Sequence, residues 1–312
     1  MAGKDTERLA TDAAGIARAA AILREGGVVA VPTETVYGLA ARADSPAAVA
    51  EIYRAKGRPD FNPLIVHVGS LAMAREVGRL DALAEQLAAA FWPGPLTLVV
   101  PLNAKAPVAA AVTAGLPTIA VRMPDHPAMR DVIETLGVPL AAPSANRSGA
   151  VSPTSAEHVA TSLSGGIDAI LDGGVTARGL ESTIVAIRAE GWQLLRPGPV
   201  HEEELAALIG PPLPSQSDTI EVPGQLASHY SPGKPVRLGA RSARSDEFLI
   251  GFGDVPGDCS MAPDGDLASA AASLYACLHE GAASSKPRVA VAPVPEHGLG
   301  AAINDRLRRA AA

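Results

Sequence analysis

The segments VPTETVYGLA (residues 31–40) and YRAKGRPDFNPLIVHV (residues 53–68) place a dense group of polar side chains between two apolar runs. The apolar runs, at residues 28–31 and 64–68, are rich in valine, and each predicts a buried strand. Polar groups at the strand ends of an α/β pattern are where ligands are usually held, so this region predicts a binding site. Its polar residues are Thr33, Glu34, Thr35, Tyr37, Lys56, Arg58, Asn62 and His67.

Helical and extended patterns alternate outward from these segments, which predicts the α/β fold class. For one helix, Ser45-Pro46 offers an N-cap and a first-turn proline. Strands are predicted at residues 28–31, 64–68, 96–100, 118–121, 139–142, 169–171, 183–187 and 193–195. Helices are predicted at residues 12–25, 45–55, 71–77, 81–91, 127–136, 152–163 and 201–209.

The sequence changes character at residues 210–235, which are rich in proline and show almost no periodicity. Such a stretch is typical of an interdomain linker. Beyond it, strands are predicted at residues 235–238, 248–252 and 288–292, and helices at residues 267–280 and 298–310. The chain therefore divides into a first domain at 1–209, a linker at 210–235, and a small Rossmann-like α/β domain at 236–312.

Composition narrows the class of protein. With 312 residues and 47% hydrophobic content, the chain can bury the core of one large domain or two ordinary ones. The net charge is −7, and even residues 51–150 hold 9 basic and 8 acidic residues, which argues against a protein that coats nucleic acid. The two cysteines, Cys259 and Cys277, argue against a disulfide scaffold and fit a reducing cytosol.

Targeting and membrane signals are not expected. The N-terminus MAGKDTERLA has no apolar run behind its charges, so it does not resemble a signal peptide. The uncharged, apolar-looking run at residues 106–121 is too short for a membrane span and contains Pro107, Gly115 and Pro117. We therefore expect a cytoplasmic protein without a membrane partner.

The tetrapeptide Lys56-Gly57-Arg58-Pro59 is the strongest candidate for a phosphate site. Two cations flank a glycine that allows close backbone approach, and Pro59 biases Arg58 toward an extended conformation. Ammonium and guanidinium groups placed in this way suit phosphate oxygens. Taken alone, the same residues also fit a solvated helix end with favourable C-terminal cations.

Three further signals each allow two interpretations. The segment from Pro143 to Thr154 is rich in small hydroxyl and amide groups, which suit an anion or a ribose but also ordinary turns and caps. Arg122 follows an apolar strand, where it could bind a carboxylate bidentately or form a surface ion pair. His67 lies inside an apolar strand, where a histidine is either structural or functional.

Other chemistries are weakly supported. The chain has no GxxxxGK[ST], GxGxxG or GxSxG motif and no Cys/His cluster for zinc. Glu34 and Glu181 are candidate carboxylates for a metal or a base. Several polar residues immediately precede a proline, which stiffens them and fits a preorganised pocket: Arg58, Asn62, Ser152 and Arg196.

Seven segments in order resemble the YrdC domain. They are PTETVYGLA (32–40), KGRPDFNPL (56–64), WPGPLTLVV (92–100), TIAVRMPDHP (118–127), APSANRSGAVSPT (142–154), GLESTIV (179–185) and LLRPGPV (194–200). GQLASHYSPGKPVRL (224–238), followed by a small α/β domain, resembles the long, two-domain form of the L-threonylcarbamoyladenylate synthase family. The resemblance covers about residues 12–310 and implies a twisted mixed-sheet YrdC-type domain with a smaller C-terminal domain.

This resemblance implies an enzyme of tRNA modification. L-threonine, bicarbonate or carbon dioxide, and ATP would give threonylcarbamoyl-AMP and pyrophosphate. A separate tRNA threonylcarbamoyl transferase would then use the product, so direct tRNA binding is not required. The carbamate and the triphosphate are both anions, so cations, among them Mg²⁺, would have to neutralise them.

The resemblance also implies roles for individual residues. Threonine would contact Thr35, His67, Arg122, Ala142 and Ser182. The nucleotide would contact Arg58, Asn62, Thr118, Ser144, Ser152, Arg196 and Tyr230. Lys56, Arg58, Ser144 and Asn146 match the family's KxR…SxN signature and would be catalytic. Tyr230 lies in the predicted linker, which would therefore fold back over the pocket.

Two alternatives remain at this point. One is an RNA-binding or ribosome-maturation module, which the near-neutral charge of residues 51–150 disfavours. The other is a carbamoyl-transfer enzyme of hydrogenase maturation built on the same domain. The lack of zinc-finger cysteines and of further large domains argues against that second possibility.

Overall fold

The computed structural model of this chain describes residues 5–58, 62–214, 221–222 and 229–312. Residues 215–220 and 223–228 of the predicted linker 210–235, and residues 59–61 of the segment KGRPDFNPL, lie outside the described residues. The described residues form two sheets of unequal size with helices packed on them. The predicted α/β class is confirmed.

The larger sheet contains ten strands in the order β1-β8-β2-β3-β7-β4-β6-β5-β9-β10, with parallel and antiparallel pairs. Its strands are β1 (Glu7–Ala10), β2 (Val29–Val31), β3 (Gly38–Arg42), β4 (Ile65–His67), β5 (Leu96–Pro101), β6 (Thr118–Arg122), β7 (Leu140–Ala141), β8 (Ala169–Asp172), β9 (Thr183–Arg188) and β10 (Gly191–Arg196). The helices of this part are α1 (Ala13–Arg24), α2 (Pro46–Lys56), α3 (Leu71–Val77), α4 (Ala82–Phe91), α5 (Ala110–Thr113), α6 (Pro127–Leu136), α7 (Ala156–Leu163) and α8 (Glu202–Ile209).

The smaller sheet is wholly parallel, in the order β11-β14-β12-β13. Its elements are β11 (Val236–Arg237), β12 (Glu247–Gly251), β13 (Cys259–Ser260), α9 (Leu267–Ala283), β14 (Arg288–Val291) and α10 (Leu299–Ala310). Parallel strands need long crossovers, and α9 fills that role between β13 and β14. We call this part of the chain the second domain.

Two of the sequence-based predictions need correction at the local level. Strand β3 was not predicted, because its sequence GLAAR lacks β-branched residues and follows a run of polar side chains. The helix predicted from residue 152 starts later, at Ala156, because the hydroxyl of Ser155 accepts the hydrogen bond that caps it. Ser152 is therefore free of helix geometry and lies in the connection that precedes it.

Helix α2 ends at the two cations of the predicted phosphate site, Lys56 and Arg58. Ser45 caps its start by accepting a hydrogen bond from the Ala48 N–H, as predicted, and Pro46 occupies its first turn. Gly57 ends the helix in the left-handed conformation, with φ = +57°, which glycine adopts without strain. Lys56 and Arg58 consequently leave the helix end in different directions.

The second domain shares an apolar core with the first. Val36, Val151 and Leu180 are buried in the same cluster as residues of α9, α10 and β14. Gly179 lies directly against α9, where an added Cβ would be 2.4 Å from the carbonyl oxygen of Ala271. The polar loops of the first domain are therefore held against the helices of the second.

The two cysteines are paired in a single disulfide, which is less than the disulfide scaffold that their number argued against. A disulfide joins Cys259 at β13 to Cys277 in α9, with their Cα atoms 5.8 Å apart. Packing of α9 on the small sheet brings the two side chains together, although 18 residues separate them in the sequence. Within the described residues, no helix is both long and apolar enough to cross a membrane.

Candidate active site

A cleft with a cavity volume of about 40 Å³ lies over one face of the large sheet. Side chains two residues apart on a strand point to the same face, so Ile65 and His67 of β4 both reach it, next to Arg122 of β6. Predicted site residues that line it are Thr35, Arg58, His67, Arg122, Ala142, Ser144, Ser182, Arg196 and Tyr230. Those that do not line it are Lys56, Asn62, Thr118, Asn146 and Ser152.

Arg122 lines one end of the cleft, where its guanidinium donates three hydrogen bonds. Its Nε donates to the carbonyl oxygen of Gly94 at 3.1 Å, its Nη1 to Oγ1 of Thr35 at 2.9 Å, and its Nη2 to a carboxylate oxygen of Glu34. Arg122 therefore forms a buried ion pair, not the surface ion pair that the sequence allowed, and it also lines the cleft. A guanidinium has five N–H donors, so one on Nη1 and one on Nη2 stay available for a ligand carboxylate.

Glu34 fixes this guanidinium in place. Its second oxygen accepts a hydrogen bond from the Asp125 N–H at 3.1 Å, and its side chain is almost fully buried. A buried carboxylate with such partners orients the arginine and is not available to hold a metal ion. Thr33 extends the network, with its Oγ1 2.8 Å from Oγ1 of Thr35.

His67 stands beside Arg122 in the pairing of β4 with β6. Burial, with a smaller contribution from the charge of Arg122, lowers the pKa of His67 to about 3, so the ring is neutral at physiological pH. Its buried Nδ1 has no hydrogen-bond partner within the described part of the chain. A neutral ring with an unsatisfied nitrogen at the wall of a cleft favours a functional role over a structural one.

Lys56 does not face the cleft. Its buried Nζ donates to the carbonyl oxygens of Ser144 at 2.6 Å and Asn146 at 2.5 Å. Burial, and next the charge of Arg58, lower its pKa well below the ordinary lysine value. The structure thus places Lys56 under the loop that carries the SxN pair, whereas the sequence suggested a cation pointing at phosphates.

Arg58 does face the cleft, from the other side of Gly57. Its Nη2 donates to the carbonyl oxygens of Asn62 at 3.3 Å and Pro63 at 3.1 Å. Burial lowers its pKa to about 10, which still leaves the guanidinium charged at neutral pH. The Oδ1 of Asn62 is buried and has no partner among the described residues, so this amide can receive a donor from a ligand.

Ser182 lines the cleft and forms hydrogen bonds with Thr97 and Arg196. Its Oγ lies 2.7 Å from Oγ1 of Thr97, and Arg196 donates to its carbonyl oxygen and to its hydroxyl at 2.9 and 3.1 Å. Thr118 lies elsewhere, since it pairs with Pro101 at the start of β6, four residues before Arg122.

Residues 229–231 belong to the predicted linker, and two of them, His229 and Tyr230, line the cleft. The His229 N–H donates to the carbonyl oxygen of Arg309 at 3.1 Å, and the Ser231 N–H donates to that of Gly149 at 2.8 Å. Tyr230, between them, lines the cleft and is almost fully buried. Its backbone is left-handed, with φ = +63°, which is uncommon for a residue other than glycine.

Two residues of the second domain contact the wall of the cleft, and no pattern in the sequence indicated their role. Tyr275 of α9 and Arg306 of α10 both donate to the carboxylate of Glu181, which lines the cleft. Arg306 also lies 5.5 Å from the centre of the Tyr230 ring. Because Glu181 and Arg306 are 125 residues apart, no local pattern could have indicated their pairing.

A metal ion held by protein side chains is not supported. Within the described residues, no group of three or more His, Cys, Asp or Glu side chains is arranged to bind one. The two carboxylates near the cleft, Glu34 and Glu181, are both engaged with arginines.

Comparisons with known proteins agree over nearly the whole chain. Residues 21–198 match the Sua5/YciO/YrdC family, described as "Telomere recombination", and residues 200–312 match the threonylcarbamoyl-AMP synthase C-terminal domain. The threonylcarbamoyl-AMP synthase of Bacillus subtilis is 40% identical over 98% of this chain and 95% of its own length. That of Pyrococcus abyssi is 40% identical over 94% of this chain and 92% of its own length.

Solved structures give the same result. The crystal structure of P. abyssi Sua5 complexed with L-threonine superimposes with a TM-score of 0.89 at 37% identity, covering 98% of this chain and 97% of that one. The arrangement of both domains is therefore shared with that protein.

Proposed function

Because the chain belongs to the threonylcarbamoyl-AMP synthase family, we propose that its cleft joins L-threonine, bicarbonate or carbon dioxide, and ATP into threonylcarbamoyl-AMP, with release of pyrophosphate. The observation that carries this proposal is the presence, in one covered cleft, of a preorganised arginine at one end and two further arginines at the other. These are Arg122, Arg58 and Arg196. The relative from P. abyssi binds L-threonine, and both parts of the chain match that relative.

We propose that threonine binds at the Arg122 end. The two free N–H groups of Arg122 would hold its carboxylate, while Thr35 and Ser182 supply hydroxyls nearby. The unsatisfied Nδ1 of His67 would accept a hydrogen bond from the substrate. Ala142, which lines the same end, would contribute its backbone.

We propose that the nucleotide binds toward Arg58 and Arg196. Ser144 and Tyr230, which line the cleft, would complete this site, whereas Asn62 and Ser152 are included on their motifs because they do not line it. In the KxR…SxN signature, Arg58 and Ser144 face the cleft, whereas Lys56 and Asn146 support the loop from behind. For Thr118, only the sequence motif supports a role in nucleotide binding, because this residue does not line the cleft.

The chemistry needs positioning and electrostatics more than a covalent side chain. The amine of threonine attacks a carbon dioxide equivalent to give a carbamate, whose oxygen then attacks the α-phosphorus as pyrophosphate leaves. Arg58 and Arg196 would offset repulsion between these anions. Both the carbamate and the mixed anhydride react with water, so the cover formed by residues 229–231 protects them.

We propose that Mg²⁺ enters with the phosphates of ATP as part of the substrate, because the carboxylates near the cleft are committed to arginines. Mg²⁺ usually keeps several waters and binds through substrate phosphates. We also propose that the enzyme works in the cytoplasm and passes its product to a tRNA threonylcarbamoyl transferase. Its domains would be residues 1–209, the linker 210–235 and residues 236–312.

Pyrophosphate release tests this function. The purified chain is incubated with ATP, Mg²⁺ and bicarbonate, and with each amino acid in turn. We expect release to depend on threonine and on bicarbonate, and threonylcarbamoyl-AMP to appear as the product by mass spectrometry. Equal release with serine, valine and threonine, or no release with threonine, would contradict the proposal.

A further inference from the structure

A buried carboxylate connects the cleft to the second domain. One oxygen of Glu181 accepts a hydrogen bond from the Ser152 hydroxyl at 2.6 Å. Its other oxygen accepts from the Tyr275 hydroxyl at 2.8 Å and from Nε of Arg306 at 2.9 Å. We call these four residues the Glu181 cluster, of which two members belong to the first domain and two to the second.

Glu181 is ionised in spite of its burial. Burial acts to raise its pKa, but the charges of Arg306 and Arg196 and the hydrogen bond from Ser152 lower it to about 2. A carboxylate accepts hydrogen bonds and donates none, so the single proton of the Ser152 hydroxyl must point at Glu181. Ser152 then has only lone pairs to offer to any other group.

The loop that carries Glu181 has little freedom to move on its own. The residue before it, Leu180, is fully buried in the core shared with the second domain. Gly179 contacts the backbone of α9, and Arg196 donates to Ser182 on the other side. Interactions with the second domain therefore determine where the carboxylate lies.

We propose that Glu181 is a positioning residue through which Tyr275 and Arg306 of the second domain hold the Ser152 hydroxyl so that its lone pairs face the nucleotide. This inference rests on the proposed function in taking Ser152, which adjoins the cleft-lining Glu181 but does not itself line the cleft, as a nucleotide contact. Because Ser152 is an acceptor, its partner is a hydrogen-bond donor of the nucleotide, which is a ribose hydroxyl or the exocyclic amine and not a phosphate oxygen. The second domain is thus part of the nucleotide site.

The first test measures binding of the non-hydrolysable analogue α,β-methylene-ATP to the full-length chain by calorimetry. Tyr275→Phe removes one hydrogen bond to the carboxylate and keeps the ring, so we expect about tenfold weaker binding. The KM for ATP should rise in parallel, whereas the KM for threonine should change less than about twofold. Unchanged analogue affinity would overturn the inference.

A double variant tests whether Tyr275 acts through Ser152. If it does, Ser152→Ala combined with Tyr275→Phe binds the analogue no more weakly than Ser152→Ala alone. Losses that multiply would show that Tyr275 acts by another route and would contradict the proposal. Analogues lacking the 2′-hydroxyl, the 3′-hydroxyl or the exocyclic amine identify the donor, because only the one that lacks it should be insensitive to Ser152→Ala. Equal sensitivity of all three would overturn the acceptor role.

A matched control separates positioning from general damage to the second domain. Arg237→Ala breaks an ion pair to the buried Glu247, entirely within that domain. It should lower the melting temperature and leave analogue affinity unchanged; an affinity loss equal to that of Tyr275→Phe would overturn the inference. If the wild-type chain binds the analogue but releases no pyrophosphate with threonine, the proposed function fails while this inference is still tested by binding.

Discussion

The Nζ of Lys56 lies 2.5 Å from the carbonyl oxygen of Asn146 and 2.6 Å from that of Ser144, beneath the loop that follows β7. Lys56 thereby ties the end of α2 to both members of the SxN pair. In this position the lysine supports the loop that carries the cleft-lining Ser144 and does not itself line the cleft.

Replacing Lys56 should misplace that loop. We expect Lys56→Met to lower kcat/KM for ATP by about a hundredfold, since two buried hydrogen bonds are lost and each contributes about 1.4 kcal/mol, which is tenfold. Pyrophosphate release at varied ATP measures this. Lys286→Met is the control, because Lys286 also donates to a carbonyl, that of Ser245, but on the surface of the second domain. Normal turnover of Lys56→Met at saturating ATP would remove Lys56 from the mechanism.

Arg122 should govern threonine affinity. Arg122→Ala removes both free N–H groups, so we expect the KM for threonine to rise by about 10- to 100-fold and far more than that for ATP. Arg122→Lys keeps the charge but not the planar fork, and we expect it to restore only part of the affinity. Arg42→Ala, at the end of β3 with a partly exposed partner in Asp44, serves as control. An unchanged threonine KM would refute the role of Arg122.

Tyr230 should retain the intermediate. Tyr230→Ala opens the cover, so we expect less threonylcarbamoyl-AMP per pyrophosphate released, because water reaches the intermediate. Tyr230→Phe keeps the ring that packs beside Arg306, so this variant should retain the intermediate as the wild type does. Tyr230→Gly should lose the intermediate as Tyr230→Ala does. It should nevertheless be more stable than Tyr230→Ala by about 1 kcal/mol, because glycine suits the left-handed backbone. A product ratio that is the same in all variants would refute the cover.

Mild acid should destabilise the fold. Burial lowers the pKa of His67 and His229 to about 3 and, with the charge of His279, that of His158 to about 4. In the unfolded chain these rings titrate near 6.5, so below that pH the unfolded state binds more protons.

The free energy of unfolding should therefore fall as the pH drops from about 6.5, by up to about 1.4 kcal/mol per pH unit for each fully buried histidine. Urea unfolding at pH 7, 6 and 5 measures this. His67→Asn should reduce the dependence on pH, while replacement of the exposed His297 should not. Equal stability at pH 7 and pH 5 would contradict the prediction.

Local signals predicted much of the fold from sequence. Helices α3 and α6 have the predicted bounds because capping residues and stop signals coincide with apolar periodicity. Strand β1 was missed, since its exposed edge position gives ERLA no apolar pattern. The cleft residues Arg58 and Arg122 were identified by motif, and the structure brings both to one cavity.

Long-range contacts were beyond sequence reasoning. Nothing in the neighbourhood of Lys56 indicates that its ammonium turns inward to carbonyls 88 and 90 residues away. The same holds for the partners of Glu181 in α9 and α10. Such pairings depend on how whole elements pack, and a side chain's type does not determine which way it leaves a helix end.

The core that Val36, Val151 and Leu180 share with α9 and α10 has a consequence for how the chain unfolds. If the second domain melted first, it would expose these residues to water and deprive Glu181 of two partners. The apolar area and the buried charge therefore make the two domains one cooperative unit. Calorimetry of the chain should show a single transition, so the boundary between domains that is visible in the sequence is not a boundary of stability.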